Sequence, residues 1–128
     1  MKHLLALVVC LLGSSVYAQS KAEVLKNQNL FRANCGACHS IGCSRNGPKL
    51  EGVIGRKAGT VADFKYYSSE LKSSGIVWSD KAIDEYIADP AKMVPGTSMT
   101  FGQVVSAGER QGIVSHVRRQ DKSIDLCL

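Results

Sequence analysis

Cys35-Gly36-Ala37-Cys38-His39 is the stretch on which the reading of this chain turns. Thiols three residues apart on one helical turn face the same edge, the small residues between them keep that edge low, and an imidazole follows at once. Three chemistries use such a string. Two thiols can add to the vinyl groups of a haem whose iron the histidine binds. C-x-x-C also serves thiol redox proteins. Cys35, Cys38, His39 and Cys43 together offer four zinc ligand types.

Context separates these readings. A thioredoxin-like domain sets its motif among alternating strands and helices, whereas this chain shows mostly helical periods divided by Gly/Pro loops. Structural zinc sites draw spaced pairs from separate segments, and adjacent Cys38 and His39 aim poorly at one small ion. The haem reading gains a second half from Val94-Pro95-Gly96-Thr97-Ser98-Met99, where Pro and Gly set an extended loop that lays a side chain over a ring. A thioether is a soft sixth ligand that raises the reduction potential. Met99 is therefore the expected partner of His39 on the iron, and Met93, at a helix tail, is expected to fill core.

Length and composition bound the rest. The chain has 128 residues, 16 Lys+Arg against 11 Asp+Glu, a net charge of +5 and 45% hydrophobic residues, which suits one small domain and excludes disorder or a two-module enzyme. Lys2 and His3, the apolar run Leu4 to Leu12 and the small-residue site Val16-Tyr17-Ala18 read as a secretory signal over residues 1–18. The run is too short to span a bilayer. Residues 19–128 are then the working domain, starting at Gln19, outside the cytoplasm and, in a bacterium, in the periplasm. Basic residues interleave with acidic ones and form no recognition motif, so nucleic acid is not an expected partner.

Helical signals follow in order. Residues 21–34 place Val24, Phe31 and Cys35 on one face and lead straight into the motif. Ser79 caps a helix carrying Ile83, Tyr86 and Ile87 inward, which Pro90 ends near Asp89. Ser106-Ala107-Gly108-Glu109 is a capping box that opens the last helix, whose Ile113, Val114 and Val117 pack on the first. Gly112 inside that helix costs about 1 kcal/mol relative to Ala, and its expected use is a close crossing of the two helices.

The order of motifs resembles the class I cytochromes c, close to the mitochondrial and bacterial c2 pattern, from about Leu25 to Val117. Phe31 precedes the motif by four residues, and Gly47-Pro48-Lys49-Leu50, Gly55-Arg56-Lys57-Ala58-Gly59 and Phe64-Lys65-Tyr66 follow. Ser74 to Trp78, Tyr86 before Asp89-Pro90, and Pro95 to Phe101 complete the series. The resemblance implies an all-α fold of three to five helices wrapped around one covalent haem c, with the N- and C-terminal helices crossing. It implies that the Pro48 carbonyl accepts from His39, that Arg56, Tyr66 and Trp78 sit by the haem propionates, that Tyr86 and Thr97 tune the Met99 side, and that Phe101 closes the pocket.

The chain also departs from that pattern. Its loop between His39 and Pro48 is shorter than the mitochondrial one, Asn27 stands where a glycine usually lets the terminal helices cross, and His116 replaces the usual aromatic. On a packed terminal helix His116 is expected as a hydrogen-bonded surface residue. Cys43 and Cys127 fall at two places that approach one another in the family fold, which implies a disulfide closing a long loop, worth about 4.5 kcal/mol in the chain-entropy treatment.

A six-coordinate haem leaves no room for substrate. The implied role is a soluble, monomeric one-electron carrier between membrane or periplasmic redox enzymes, with no catalytic residues of its own and no stable membrane insertion. Lys26, Lys49, Lys57, Lys65, Lys72 and Lys92 would steer it onto acidic donor and acceptor surfaces. The competing class is a haem-bearing subunit of a periplasmic oxidoreductase complex, as in sulfur oxidation or a dehydrogenase, or a peroxidase-like protein with a weak Met99 bond; a permanent subunit exposes a large apolar docking patch.

Overall fold

Residues 19–100 and 105–119 are described in the computed structural model of the chain. Among them the chain forms five helices and no strand: α1 (Lys21–Asn34), α2 (Ser69–Ser73), α3 (Asp80–Ala88), α4 (Pro90–Met93) and α5 (Ala107–Arg119), with one antiparallel bridge between Lys57 and Val77.

Local chemistry sets each boundary. The Ser20 hydroxyl caps α1 by accepting from the Glu23 amide at 3.2 Å, and Glu23 adds favourable negative charge to that first turn. Ser79 does the same for α3 through the Ala82 amide at 3.1 Å. Pro90 ends α3 as expected, but it also starts α4, because Asp89 caps the next turn through the Lys92 amide and proline suits a first helical position. At the head of α5, Ser106 and Glu109 exchange bonds in both directions, the Ser106 amide donating to Glu109 Oε2 at 2.8 Å and the Glu109 amide to Ser106 Oγ at 3.3 Å.

α1 crosses α5, and α3 packs against α5 from another side. Phe31, Ile113 and Val117 are each at most 2% exposed at this junction, a burial worth about 1.5–3 kcal/mol per side chain. Gly112 permits the approach: a Cβ there would stand 2.7 Å from Asn27 Oδ1 and 2.8 Å from Leu30 Cδ1. The small residue of the crossing is thus on α5, and the bulkier Asn27 on α1 fills the space opposite.

His116 corrects the expectation drawn from sequence. It is 4% exposed rather than on the surface, with its ring tilted against Phe31 at a centroid distance of 4.9 Å. The flat imidazole packs on the Phe31 ring as an aromatic side chain does. Arg110 with Asp84 at 2.9 Å, and Arg118 with Asp80, tie α5 to α3. The signal segment 1–18, Phe101 and Cys127 lie outside the described residues.

Candidate functional site

The C-terminus of α1 runs directly into the motif. The amides of Cys35 and Gly36 reach the Phe31 carbonyl, and those of Cys38 and His39 reach the Cys35 carbonyl at 3.1 and 2.8 Å, so the helix turns over once more and holds both thiols at its end. Cys35 is half-buried and Cys38 exposed, and both are free. Burial, with the neighbouring Cys38 adding to it, pushes the Cys35 thiol up to about 12. That is the reverse of a redox-active thiolate. Among the described residues no three His, Cys, Asp or Glu side chains converge as metal ligands, so the four zinc candidates do not form a site.

The loop after His39 folds back to set the imidazole. His39 Nδ1 lies 2.9 Å from the Pro48 carbonyl, which fixes the ring and leaves Nε2 as the nitrogen available to a ligand. Burial lowers the pKa of the ring, with the Pro48 bond opposing it. Gly47 lies flat beneath that ring, since a Cβ there would sit 2.3 Å from His39 Cε1. Backbone bonds from Gly47 to Cys38, Leu50 to Ser40 and Glu51 to Ile41, all between 2.8 and 3.0 Å, close the segment on itself.

One cavity of about 400 Å³ collects nearly every residue singled out in the sequence. Cys35, Cys38, His39, Pro48, Arg56, Tyr66, Trp78, Tyr86, Thr97 and Met99 all line it, between Phe31, Leu50, Ile113 and Val117 as apolar walls. Its exposed lining residues include Ala37, Cys38 and Thr100. Cys43 is half-buried, with its sulfur 3.9 Å from the Ser40 hydroxyl, and is not among the lining residues.

The polar residues have distinct settings. Arg56 donates to the carbonyls of Glu51 at 2.7 Å and Lys49 at 2.9 Å, which holds the guanidinium beside the cavity. Tyr66 is 81% exposed at the cavity's edge, whereas Tyr67, absent from the sequence-derived set, is half-buried and accepts from the Val61 amide. Burial raises the Tyr67 hydroxyl's pKa while nearby Arg56 pulls it down. The signal for Tyr67 was present as a second aromatic beside Tyr66. Trp78 tilts against Tyr86 at 5.1 Å, and Tyr86 Oη meets Thr97 Oγ1 at 2.5 Å, which in turn accepts from the Met99 amide at 3.3 Å.

These residues fit a covalently tethered haem. Two free thiols stand at the mouth of a mostly apolar cavity, an oriented imidazole and a thioether share its lining, and a guanidinium and phenols offer partners to carboxylates. Helices wrapped around such a cavity define a c-type cytochrome of class I.

Comparison with known proteins agrees. The chain is 35% identical to a cytochrome c of Gibberella zeae over 103 residues, 78% of this chain and 96% of that one. It is 36% identical to cytochrome c2 iso-2 of Magnetospirillum molischianum over 86 residues, 66% of this chain and 88% of that one. Among solved structures, cytochrome cH from Methylobacterium extorquens superposes with a TM-score of 0.68 at 34% identity, covering 75% of this chain and 97% of that one. No protein-family model matches. The chain belongs to the class I cytochromes c. It has the cytochrome c fold, takes one covalent haem c, and is a one-electron carrier rather than an enzyme.

Proposed function

We propose that Cys35 and Cys38 form the two thioethers to the haem, that His39 and Met99 are its axial ligands, and that the protein shuttles single electrons between redox proteins of the periplasm. The observation that carries this reading is the shared cavity: the free thiols, the Pro48-oriented imidazole and Met99 all line it. The bound haem supplies the one-electron couple. Pro48 keeps the His39 ring in a single orientation and raises its basicity. The apolar lining excludes water. Tyr86 and Thr97 fix the segment from which Met99 reaches the cavity. Arg56, Trp78 and the phenols of Tyr66 and Tyr67 offset the cost of bringing propionates to the cavity's edge.

The signal-like segment 1–18 supports export, and among the described residues no helix is long and apolar enough to cross a membrane. The partners are redox proteins with acidic faces: Lys26, Lys57, Lys65, Lys72 and Lys92 are exposed and Lys49 is half-buried. Among the described residues the exposed large hydrophobic ones, Leu25, Tyr66 and Val77, come from three separate segments, which supports a monomeric shuttle over a permanently docked subunit. Cys43 bridging to Cys127 is the further proposed link, supported by the free cysteines among the described residues being Cys35 and Cys38 alone.

The test is the absorption spectrum of protein matured with haem-attachment machinery. Covalent-haem bands and the weak far-red band of sulfur on ferric iron are expected, the latter lost in Met99→Ala. Colourless protein, or a far-red band that survives the substitution, overturns the ligand assignment. Intact mass without reductant, lower by two hydrogens than with it, tests the disulfide.

A further inference from the structure

Two loops of the cavity close on opposite ends of the same short helix. Gly59, three residues after Arg56, has φ of +75° and lies so near α2 that a Cβ would stand 3.0 Å from Lys72 Cα and Cγ. Gly96, three residues before Met99, has φ of +90°, and a Cβ there would stand 2.8 Å from Glu70 Cγ and 2.9 Å from Glu70 Cδ. Both glycines hold a positive φ that residues with a side chain rarely adopt. Between them Leu71, 9% exposed, packs with Ala58, Tyr86 and Val94 and lines the cavity. The hydroxyl of Ser69 donates to Glu70 Oε2 at 3.0 Å, and the cap Ser68 accepts from the Leu71 amide at 3.2 Å.

We propose that α2 is a strap and that Glu70 is a positioning residue for the sixth ligand: its side chain, laid across Gly96 from Cγ to the carboxylate, holds the Pro95–Met99 turn against the cavity. The proposal rests on Met99 as the axial ligand. The turn needs such a support because its own bonds are few. Thr97 donates to Val94 at 3.0 Å and Met99 to the Thr97 hydroxyl at 3.3 Å, and Pro95, Gly96 and Ser98 are exposed. The atoms nearest Gly96 are Cγ, the carboxylate carbon Cδ and, at 3.3 Å from the Cβ position, Oε1, a shape that glutamine reproduces without the charge.

The experiment uses the haem-loaded protein and titrates the ferric form with imidazole, a probe that displaces a loosely held thioether. Glu70→Ala is expected to tighten imidazole binding by about fivefold or more, the lower end of coupling between a residue and a ligand site it does not touch. Amide exchange at Thr97 and Met99 should quicken with it. Glu70→Gln, which keeps the stem, should match the unsubstituted protein in both measurements, and Ser73→Ala, on the same helix, should leave them unchanged. Unaltered imidazole affinity in Glu70→Ala overturns the proposal, as does an equal rise in Glu70→Gln, which would assign the effect to charge. A ferric protein with no far-red sulfur band before any substitution would instead refute Met99 as the ligand.

Discussion

The segment that carries His39 and the segment that carries Met99 serve one cavity and are built differently. His39 follows a helix of fourteen residues, and its loop is closed by backbone bonds from Gly47, Leu50 and Glu51 and by the Pro48 carbonyl on the ring. Phe31 and Ile41, which flank the motif in the chain, are at most 1% exposed. Met99 ends an exposed turn after a four-residue helix, held by two backbone amide bonds, by the Tyr86 hydroxyl on Thr97 and by Glu70 across Gly96. Covalent attachment and imidazole ligation call for a fixed platform, whereas the thioether side has only to lay one soft ligand over the ring. Damage on the first side should therefore abolish the protein, and damage on the second should open the iron to outside ligands while the fold persists.

The largest effect is expected at Gly47. In Gly47→Ala the new Cβ meets the face of the imidazole at 2.3 Å, and neither the ring, tied to Pro48, nor the backbone, tied to Cys38, has room to yield. Destabilisation of about 3 kcal/mol or more, the upper end for overpacking, should appear as a collapse in the yield of haem-loaded protein. A normal yield with an unchanged denaturation midpoint would show that the His39 side is as yielding as its counterpart.

Met99→Ala comes next. The residue is half-buried, so the loss in stability should fall at the low end for buried methionine, about 2 kcal/mol by chemical denaturation. The larger change is chemical. The far-red band should vanish and the reduced protein should take up carbon monoxide at neutral pH, with a lower reduction potential because the soft ligand is gone. Retention of the fold with an open sixth position is what distinguishes this side from the other.

The same contrast governs what could be read from the amino-acid order. Cys35 to His39, Pro48 and Met99 announce themselves because each does chemistry that few residue types perform at that spacing, and the caps at Ser79 and Ser106 because they repair helix ends with short polar side chains. The packing of the terminal helices was only half legible. Gly112 signalled a close crossing, but the buried face of α1 carries Asn27 and Gln28 beside Phe31, and a periodicity search that looks for apolar residues passes over polar ones. The burial of His116 is hidden for the same reason: the ring it packs on, Phe31, lies 85 positions earlier in the chain. α2 carries no periodic signal in its five residues, and the Ser68 cap and the loops that close on it hold it in place.

Tyr86→Phe sharpens the comparison with a smaller change. It deletes the bond to Thr97 and leaves that oxygen short of a partner, at a cost of about 1.5 kcal/mol. Imidazole affinity should rise as the turn loosens. A pH signature accompanies it, since burial holds the Tyr86 hydroxyl above its ordinary value, with the Thr97 bond opposing. The folded state then keeps a proton that the unfolded state has released. The contribution is complete below the unfolded value near 10 and fades as pH rises past it. Denaturation midpoints should therefore fall less steeply above about pH 10 in Tyr86→Phe than in the unsubstituted protein.

The smallest effect is expected far from either ligand. Ser106→Ala removes the hydroxyl that accepts from the Glu109 amide at the head of α5, costing about 1 kcal/mol of stability. The Glu109 carboxyl is held below its ordinary value by the Ser106 amide and hydroxyl, so its contribution is present above the unfolded value near 4.5 and lost as pH falls below it. Ser106→Ala should accordingly flatten the acid limb of the stability profile while leaving imidazole affinity and the far-red band untouched. α5 supports the cavity through Ile113 and Val117, which line it, whereas Ser106 at its head is not among the lining residues. A shift in imidazole affinity would mean that the two sides share their supports, and the division between a fixed platform and a yielding turn would fail.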